Sequence, residues 1–258
     1  MGPENIRDSI LGLYGSAHGR LGMRRITVIV PAYNERDNIV ELHRRLRSLP
    51  LSADIDICLL VVDDGSTDDT AEVVRTIGTW DPGVKLVCLR INQGQQTAIA
   101  LGLQHASGEA VIVMDADMQT PPEYLPEMIG RWQSGAPIVA MRRSLSTQPL
   151  VKRVCSRAFY RFLSILIAHA VLIDVPDFYL LDREAVQRLI THNWARHFHR
   201  GALGYLGLPV IRLDYCEAPR FAGHPKYTWW KSLRLALAGV RAIRSHRRAL
   251  AGTTGASK

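Results

Sequence analysis

Two carboxylates one residue apart, Asp115 and Asp117, end the apolar run Ala110-Val-Ile-Val-Met114, and Gln119 follows two positions later. A fully buried strand has no internal place for two ionised acids. They belong at its carboxyl end, the edge where ligands bind in open α/β sheets. Like charges so close repel each other unless a cation or a hydrogen-bond donor lies between them. Hard oxygen ligands select Mg²⁺ or Mn²⁺, and Mg²⁺ typically joins one or two carboxylates to substrate phosphates. A lone Asp-x-Asp also fits a solvated strand-to-helix turn with an Asp cap, so the rest of the chain has to decide.

Further polar groups stand at the ends of other apolar runs. Pro31-Ala-Tyr-Asn-Glu35 stops Ile26–Val30, and Asp63-Asp-Gly-Ser-Thr-Asp68 stops Ile55–Val62. Carboxylates can accept from the N–H groups of a base or the hydroxyls of a ribose, and Tyr33 could pack on the base. No G-x-x-x-x-G-K-[ST] occurs, and no G-x-G-x-x-G follows the first strand. Phosphate-loop and dinucleotide sites are thereby set aside. A site acidic at the base and metal-bound at the diphosphate suits a nucleoside diphosphate sugar.

These groups need a scaffold of buried strands. Ile26–Val30, Ile55–Val62, Val84–Arg90, the run ending at Asp115, and Ile138–Met141 read as five strands. Between them, helices are expected up to Leu49, up to Ile77, over Thr97–Ala106, and after Pro121-Pro122, since proline suits a first helical turn. Asn34 or its neighbours can cap the first helix, and Ser66, Thr67 or Asp68 the second. This alternation predicts an α/β fold, a doubly wound, mostly parallel sheet with flanking helices. With 258 residues, 47% of them hydrophobic, the chain can form one large domain with a real core.

Cys58, Cys88, Cys155 and Cys216 show no zinc spacing and read as reduced, buried thiols of a cytosolic protein. No window approaches the roughly 20 apolar residues needed to span a bilayer, and no signal peptide is evident. Residues 1–23 read as a disordered extension. The net charge of +8 is uneven: residues 218–258 hold nine Lys and Arg and no acid, leaving residues 1–217 at about −1. One polyanionic contact surface fits this better than a nucleic-acid groove.

Val30-Pro-Ala-Tyr-Asn-Glu35, Asp63-Asp-Gly-Ser-Thr-Asp-Asp-Thr70 and Asp115-Ala-Asp-Met-Gln-Thr-Pro-Pro122 resemble, in order, the motifs of family 2 glycosyltransferases of the GT-A fold. Asn92-Gln-Gly-Gln-Gln-Thr-Ala98 and Asp177-Phe-Tyr-Leu-Leu-Asp-Arg183 resemble the branch that makes polyprenyl-phosphate sugars. That branch includes dolichol-phosphate mannose synthases and undecaprenyl-phosphate glycosyltransferases. The resemblance runs from about Arg25 to about Val240. It implies a catalytic domain over residues 24–228 and a basic amphipathic tail over residues 229–258.

The resemblance also implies roles. Pro31, Tyr33, Glu35, Asp63 and Asp64 would line the base and ribose pocket, next to Asp115. Asp115, Asp117 and Gln119 would hold Mg²⁺ or Mn²⁺. Arg142, Lys152, Arg153 and Ser156 would meet the acceptor phosphate. Arg220-Phe-Ala-Gly-His-Pro-Lys-Tyr227 looks like the family's loop over the donor diphosphate, so Asp117, Arg220, Lys226 and Asp177 would act in catalysis. Pro225 replaces the family's usual serine, and Tyr179 an arginine common among bacterial members.

The expected reaction is metal-dependent inverting transfer of mannose or a similar sugar from a GDP- or UDP-sugar to a polyprenyl phosphate. A phosphate monoester has a second pKa near 6 and is already a nucleophile at neutral pH. A hydroxyl acceptor would instead need a base such as Asp177. Phe159, Phe162, Leu163, Leu166, Ile167 and Ala170 make one helical stripe. Trp229, Leu233, Leu237, Val240 and Ile243 make another, flanked by arginines and lysines. The second fits an anionic membrane surface, which implies a cytoplasmic protein held peripherally at the inner face. Two alternatives stay open: the same donor chemistry on a soluble small molecule, and a non-catalytic lipid- or nucleic-acid-binding module.

Overall fold

The computed structural model describes residues 23–144, 176–191, 203–204 and 206–222. The second apolar stripe, the basic tail, residues 1–22 and the Phe159–Ala170 stripe lie outside them. Seven strands form one sheet in the order β3-β2-β1-β4-β6-β5-β7. They are β1 (Arg24–Ala32), β2 (Ile55–Asp63), β3 (Val84–Cys88), β4 (Ala110–Val113), β5 (Ile138–Arg143), β6 (Tyr179–Asp182) and β7 (Val210–Tyr215). The described helices are α1 (Arg36–Arg47), α2 (Thr70–Trp80), α3 (Gln95–His105), α4 (Leu125–Gln133) and α5 (Arg183–Thr191), with a 3₁₀ turn at Pro122–Tyr124.

Alternating residues of β1 feed two cores, because successive strand side chains point to opposite faces. Ile26, Val28 and Val30 pack with Ile39, Leu42 and Leu46 of α1 and with Met128 and Ile129 of α4. Ile29 turns the other way and joins Ala98, Ile99 and Leu103 of α3 and Ala185, Val186 and Leu189 of α5. Gly102 lets α3 approach closely, since a Cβ there would lie 2.5 Å from a methyl of Ile29. Helices on both faces of a largely parallel sheet are the doubly wound arrangement expected from the sequence.

The chain leaves β1 for β2 on one side and later returns to place β4 on the other. The gap between the carboxyl ends of β1 and β4 is therefore a topological switch point, where such sheets bind ligands. Strand β6 departs from the expected pattern. It runs antiparallel to both β4 and β5, and neither it nor β7 was anticipated as a strand. Because β6 is reversed, its first residues lie at the same sheet edge as the last residues of β4. Tyr179 is level with Val113 on one side and Ala140 on the other. Two residues outward, the register brings Asp177, Asp115 and Arg142 to one edge.

Smaller expectations also change. Glu35, the neighbour of Asn34, precedes α1, whereas Asp69 and not Ser66, Thr67 or Asp68 precedes α2, and neither bonds its helix through its side chain. Asp68 does accept the Thr70 amide at 3.0 Å. Cys88 and Cys216 are exposed and Cys58 is half-buried, all three unpaired, so the expectation of buried thiols fails for them. Cys88 ends an edge strand and Cys216 follows one, where one flank has no strand to cover it. No described helix is long and apolar enough to cross a membrane.

Candidate active site

The turn after β2 is built on two backbone constraints. Gly65 has φ +69°, and a Cβ there would lie 2.7 Å from the Ile91 carbonyl carbon and 2.8 Å from the Asn92 nitrogen. Only glycine allows both the left-handed turn and that approach. The contact carries the loop after β3 up to Asp64. The Asp64 carboxylate accepts the Gln93 amide at 2.7 Å and the Gly94 amide at 2.8 Å. Burial pushes the Asp64 carboxyl above the usual carboxylate range, the two amides oppose this, and the charge of Asp63 adds to it. Asp64 thus has a structural duty the sequence did not reveal: it anchors the segment that opens α3. Asp63 lies beside it and accepts the Ser66 amide at 3.2 Å.

The loop after β1 is tied to the same turn. Asn34, at φ +52°, accepts the Thr67 amide at 2.8 Å through its side chain, and its own amide donates to Ser66 at 2.9 Å. It acts as a clamp between two loops and not as the helix cap anticipated from sequence. The Glu35 amide donates to Thr70 at 2.9 Å, and the Asn38 side chain donates to Glu35. Pro31, Tyr33 and Glu35 therefore sit partly exposed beside Asp63 and Asp64, at the mouth of the switch-point crevice.

Beyond β4, Met118 takes φ +63°, a conformation that strains a residue bearing a Cβ. This turn brings the Gln119 amide back to Asp117 at 3.0 Å. The other Asp117 oxygen pairs with the Arg220 guanidinium at 2.7 Å, and Arg220 also donates to the Gln119 side-chain oxygen Oε1 at 3.3 Å. Backbone bonds hold the two segments together: Ala218 N–H donates to the Gln119 carbonyl and Phe221 N–H to that of Asp117. Residues 117, 119 and 220, from two distant motifs, form one contact group, and Asp115 stands two residues before Asp117, beyond the end of β4.

Asp177 is joined to Asp115 through α3. The Gln95 amide donates to Asp115 at 2.8 Å and to Asp177 at 3.2 Å, and Gln96 donates to Asp177 at 3.0 Å. Sequence reading quoted the motif that contains these glutamines but gave them no role. The available signal was a polar run, Asn92-Gln-Gly-Gln-Gln96, placed directly after a strand. Arg142 is at the same edge, held by Asp214 in a two-pronged pair at 2.6 and 2.9 Å. Lys152, Arg153, Ser156 and Lys226 lie outside the described residues.

Among the described residues no group of three or more His, Cys, Asp and Glu side chains is arranged to hold a metal ion. Asp115 and Asp117 are nevertheless hard oxygen donors, of the kind that hold Mg²⁺ together with substrate phosphate. Arg220 already shows that Asp117 is turned towards positive charge. The residues fit a divalent cation completed by a diphosphate.

Comparison with known proteins shows the family and the fold. The sequence profile of glycosyl transferase family 2 matches residues 27–190. The uncharacterised glycosyltransferase YkcC of Bacillus subtilis is 34% identical over 215 residues, covering 83% of this chain and 67% of that protein. The bactoprenol glucosyl transferase of Shigella phage SfV is 32% identical over 217 residues, covering 84% and 71%. Among solved structures, glucosyl-3-phosphoglycerate synthase of Mycobacterium tuberculosis, in complex with Mn²⁺, UDP-glucose and phosphoglyceric acid, superposes with a TM-score of 0.59 at 20% identity. It covers 86% of this chain and 79% of the synthase. That likeness is one of fold, the GT-A fold.

Proposed function

The chain belongs to glycosyl transferase family 2 and is a glycosyltransferase, and we propose that it moves a hexosyl group from a nucleoside diphosphate sugar to a polyprenyl phosphate. The observation that carries this reading is the pair of contact groups at the switch-point edge, Asp117 with Gln119 and Arg220, and Asp115 with Asp177 through Gln95. Relatives named bactoprenol glucosyl transferase at about 32% identity support the acceptor class and make UDP-glucose the first donor to try.

In the proposed reaction an acceptor phosphate oxygen attacks the anomeric carbon. The bond from that carbon to the nucleoside diphosphate breaks, its electron pair leaves with the diphosphate, and the configuration inverts. The phosphate dianion carries no proton on the attacking oxygen, so no base is required. Asp115 and Asp117, with Gln119 beside them, would hold Mg²⁺ or Mn²⁺, which when bound neutralises charge growing on the leaving diphosphate. Arg220, with Lys226 in the same loop motif, serves that charge as well. Pro31, Tyr33, Glu35 and Asp63 receive the nucleoside, with Asp64 bracing the loop behind them. Arg142, Lys152, Arg153 and Ser156 attract and orient the acceptor phosphate. Asp177 acts as a fixed acceptor of glutamine amides.

Turnover of UDP-glucose, with GDP-mannose as comparison, on undecaprenyl phosphate with Mn²⁺ tests the reading. Lys152→Ala and Ser156→Ala are expected to raise the acceptor KM about tenfold or more while nucleotide binding stays near normal. An essential base in the pH profile, removed by Asp177→Asn, would instead identify a hydroxyl acceptor and overturn the lipid-phosphate assignment.

The nine cations after Glu217 exceed what a donor site needs, which supports peripheral attachment to anionic lipid at about 1 kcal/mol per exposed Lys or Arg. Full-length protein is expected to sediment with vesicles containing phosphatidylglycerol and to stay free of neutral ones. Salt should weaken the binding, because exposed charges are screened beyond about 8 Å at physiological ionic strength. Truncation after Tyr227 should abolish it. Full-length protein that ignores anionic vesicles at low salt would defeat the membrane reading.

A further inference from the structure

We propose that Gln95 and Gln96 are positioning residues of the transfer site, and that Gln95 couples Asp115 to Asp177 through one side-chain amide. An amide NH₂ has two hydrogens to give. Gln95 spends them on two carboxylates, Asp115 at 2.8 Å and Asp177 at 3.2 Å. Gln96 gives to the same Asp177 oxygen at 3.0 Å and is itself buried. Asp177 is 2% exposed, so water contributes little to its hydrogen bonding, and both glutamines donate to it.

The arrangement has a definite purpose in this fold. Asp115 continues β4, while Asp177 precedes the reversed strand β6 at the same edge. Their two negative charges converge because of that reversal, and a donor between them relieves the repulsion. The donor is itself fixed. Gln95 is the first residue of α3, and the two residues before it are held by the Asp64 carboxylate. Order passes from Asp64 to the loop, from the loop to Gln95, and from Gln95 to the orientation of Asp115. Hydrogen-bond partners that orient a metal-binding carboxylate typically contribute 10–100-fold to metal affinity or activity.

This proposal rests on the donor-site reading above, and its test separates the two. Mn²⁺ binding to the full chain is followed by electron paramagnetic resonance, with and without UDP. Gln95→Met, which keeps the chain length but removes the amide, is expected to weaken Mn²⁺ binding about 10–100-fold. Gln96→Met, which loses the bond to Asp177 and leaves the Gln95 bridge in place, should bind Mn²⁺ within about twofold of wild type and lower kcat. Adding Asp177→Asn to Gln95→Met should weaken Mn²⁺ binding no further, because coupled residues are non-additive. Gln95→Asn, one methylene too short to bridge, carries the same expectation and serves if Gln95→Met misfolds.

Unchanged or tighter Mn²⁺ binding in the folded Gln95 variants overturns the proposal while leaving the donor site intact. Equal loss in Gln96→Met overturns it too, since a shift of the whole helix would then explain both. Wild-type protein that binds no Mn²⁺ even with UDP overturns the donor-site reading and the proposal together.

Discussion

Asp117→Asn is expected to remove turnover while leaving the fold in place. The Asp117 carboxylate is buried at the end of the β4 segment, with one oxygen on the Gln119 amide and the other on Arg220. Asparagine keeps the shape and can still accept from Gln119, so the turn through Met118 survives. It lacks the charge that would hold a divalent cation against a diphosphate. Lewis-acid stabilisation of a developing charge is worth several kcal/mol, or about a thousandfold in rate. The check is turnover and Mn²⁺-dependent UDP binding, with circular dichroism and a thermal midpoint as controls for folding. Wild-type metal dependence in the variant would remove Asp117 from the site.

Arg220→Ala is expected to lower turnover and tighten metal binding at once. The guanidinium sits 2.7 Å from the Asp117 oxygen that a cation would use. A divalent cation there would meet it as a like charge. In the resting protein Arg220 therefore competes with the metal, and on donor binding it has a better partner in the diphosphate. Without Arg220, Mn²⁺ should bind nucleotide-free protein roughly tenfold more tightly, a difference of about 1.4 kcal/mol. Turnover should fall by about 10²–10³, the range for losing one donor to a developing oxyanion. Calorimetric titration of Mn²⁺ without nucleotide, beside steady-state rates, reads both. Weaker Mn²⁺ binding in the variant would mean that Arg220 supports the metal site and does not compete for it.

The two effects have opposite signs for a physical reason. Asp117 would be a ligand whose charge is needed in every state, whereas Arg220 would be a cation whose partner changes when the diphosphate arrives. Only a pair visible in three dimensions predicts this. In the sequence the two residues are separated by more than a hundred positions and belong to different motifs.

Much of the scaffold was legible before any coordinates. Val28, Val30, Val61 and Val62 are fully buried β-branched residues in strands, and such runs identify themselves. The abrupt appearance of Asp63-Asp64 and of Asp115 and Asp117 after apolar runs located the functional edge, because ionised groups cannot remain inside a sheet. The α/β class, the five parallel strands and the cluster of acids follow from those local facts.

What the sequence could not decide is which distant groups use each other's charges. The strand Tyr179–Asp182 is only four residues long, too short for its pattern to reveal a direction. Its reversal is what brings Asp177 level with Asp115 and gives Gln95 two carboxylates to serve. Asp64 reads in sequence as one more acid for a nucleoside, but the close approach at Gly65 turns it onto the Gln93 and Gly94 amides. Local residue types determined that carboxylates would gather at one edge, since burial of charge is costly wherever it occurs along the chain. Their partners were settled only by the tertiary structure, because hydrogen bonds and ion pairs depend on distances of about 3 Å that strand order and direction set.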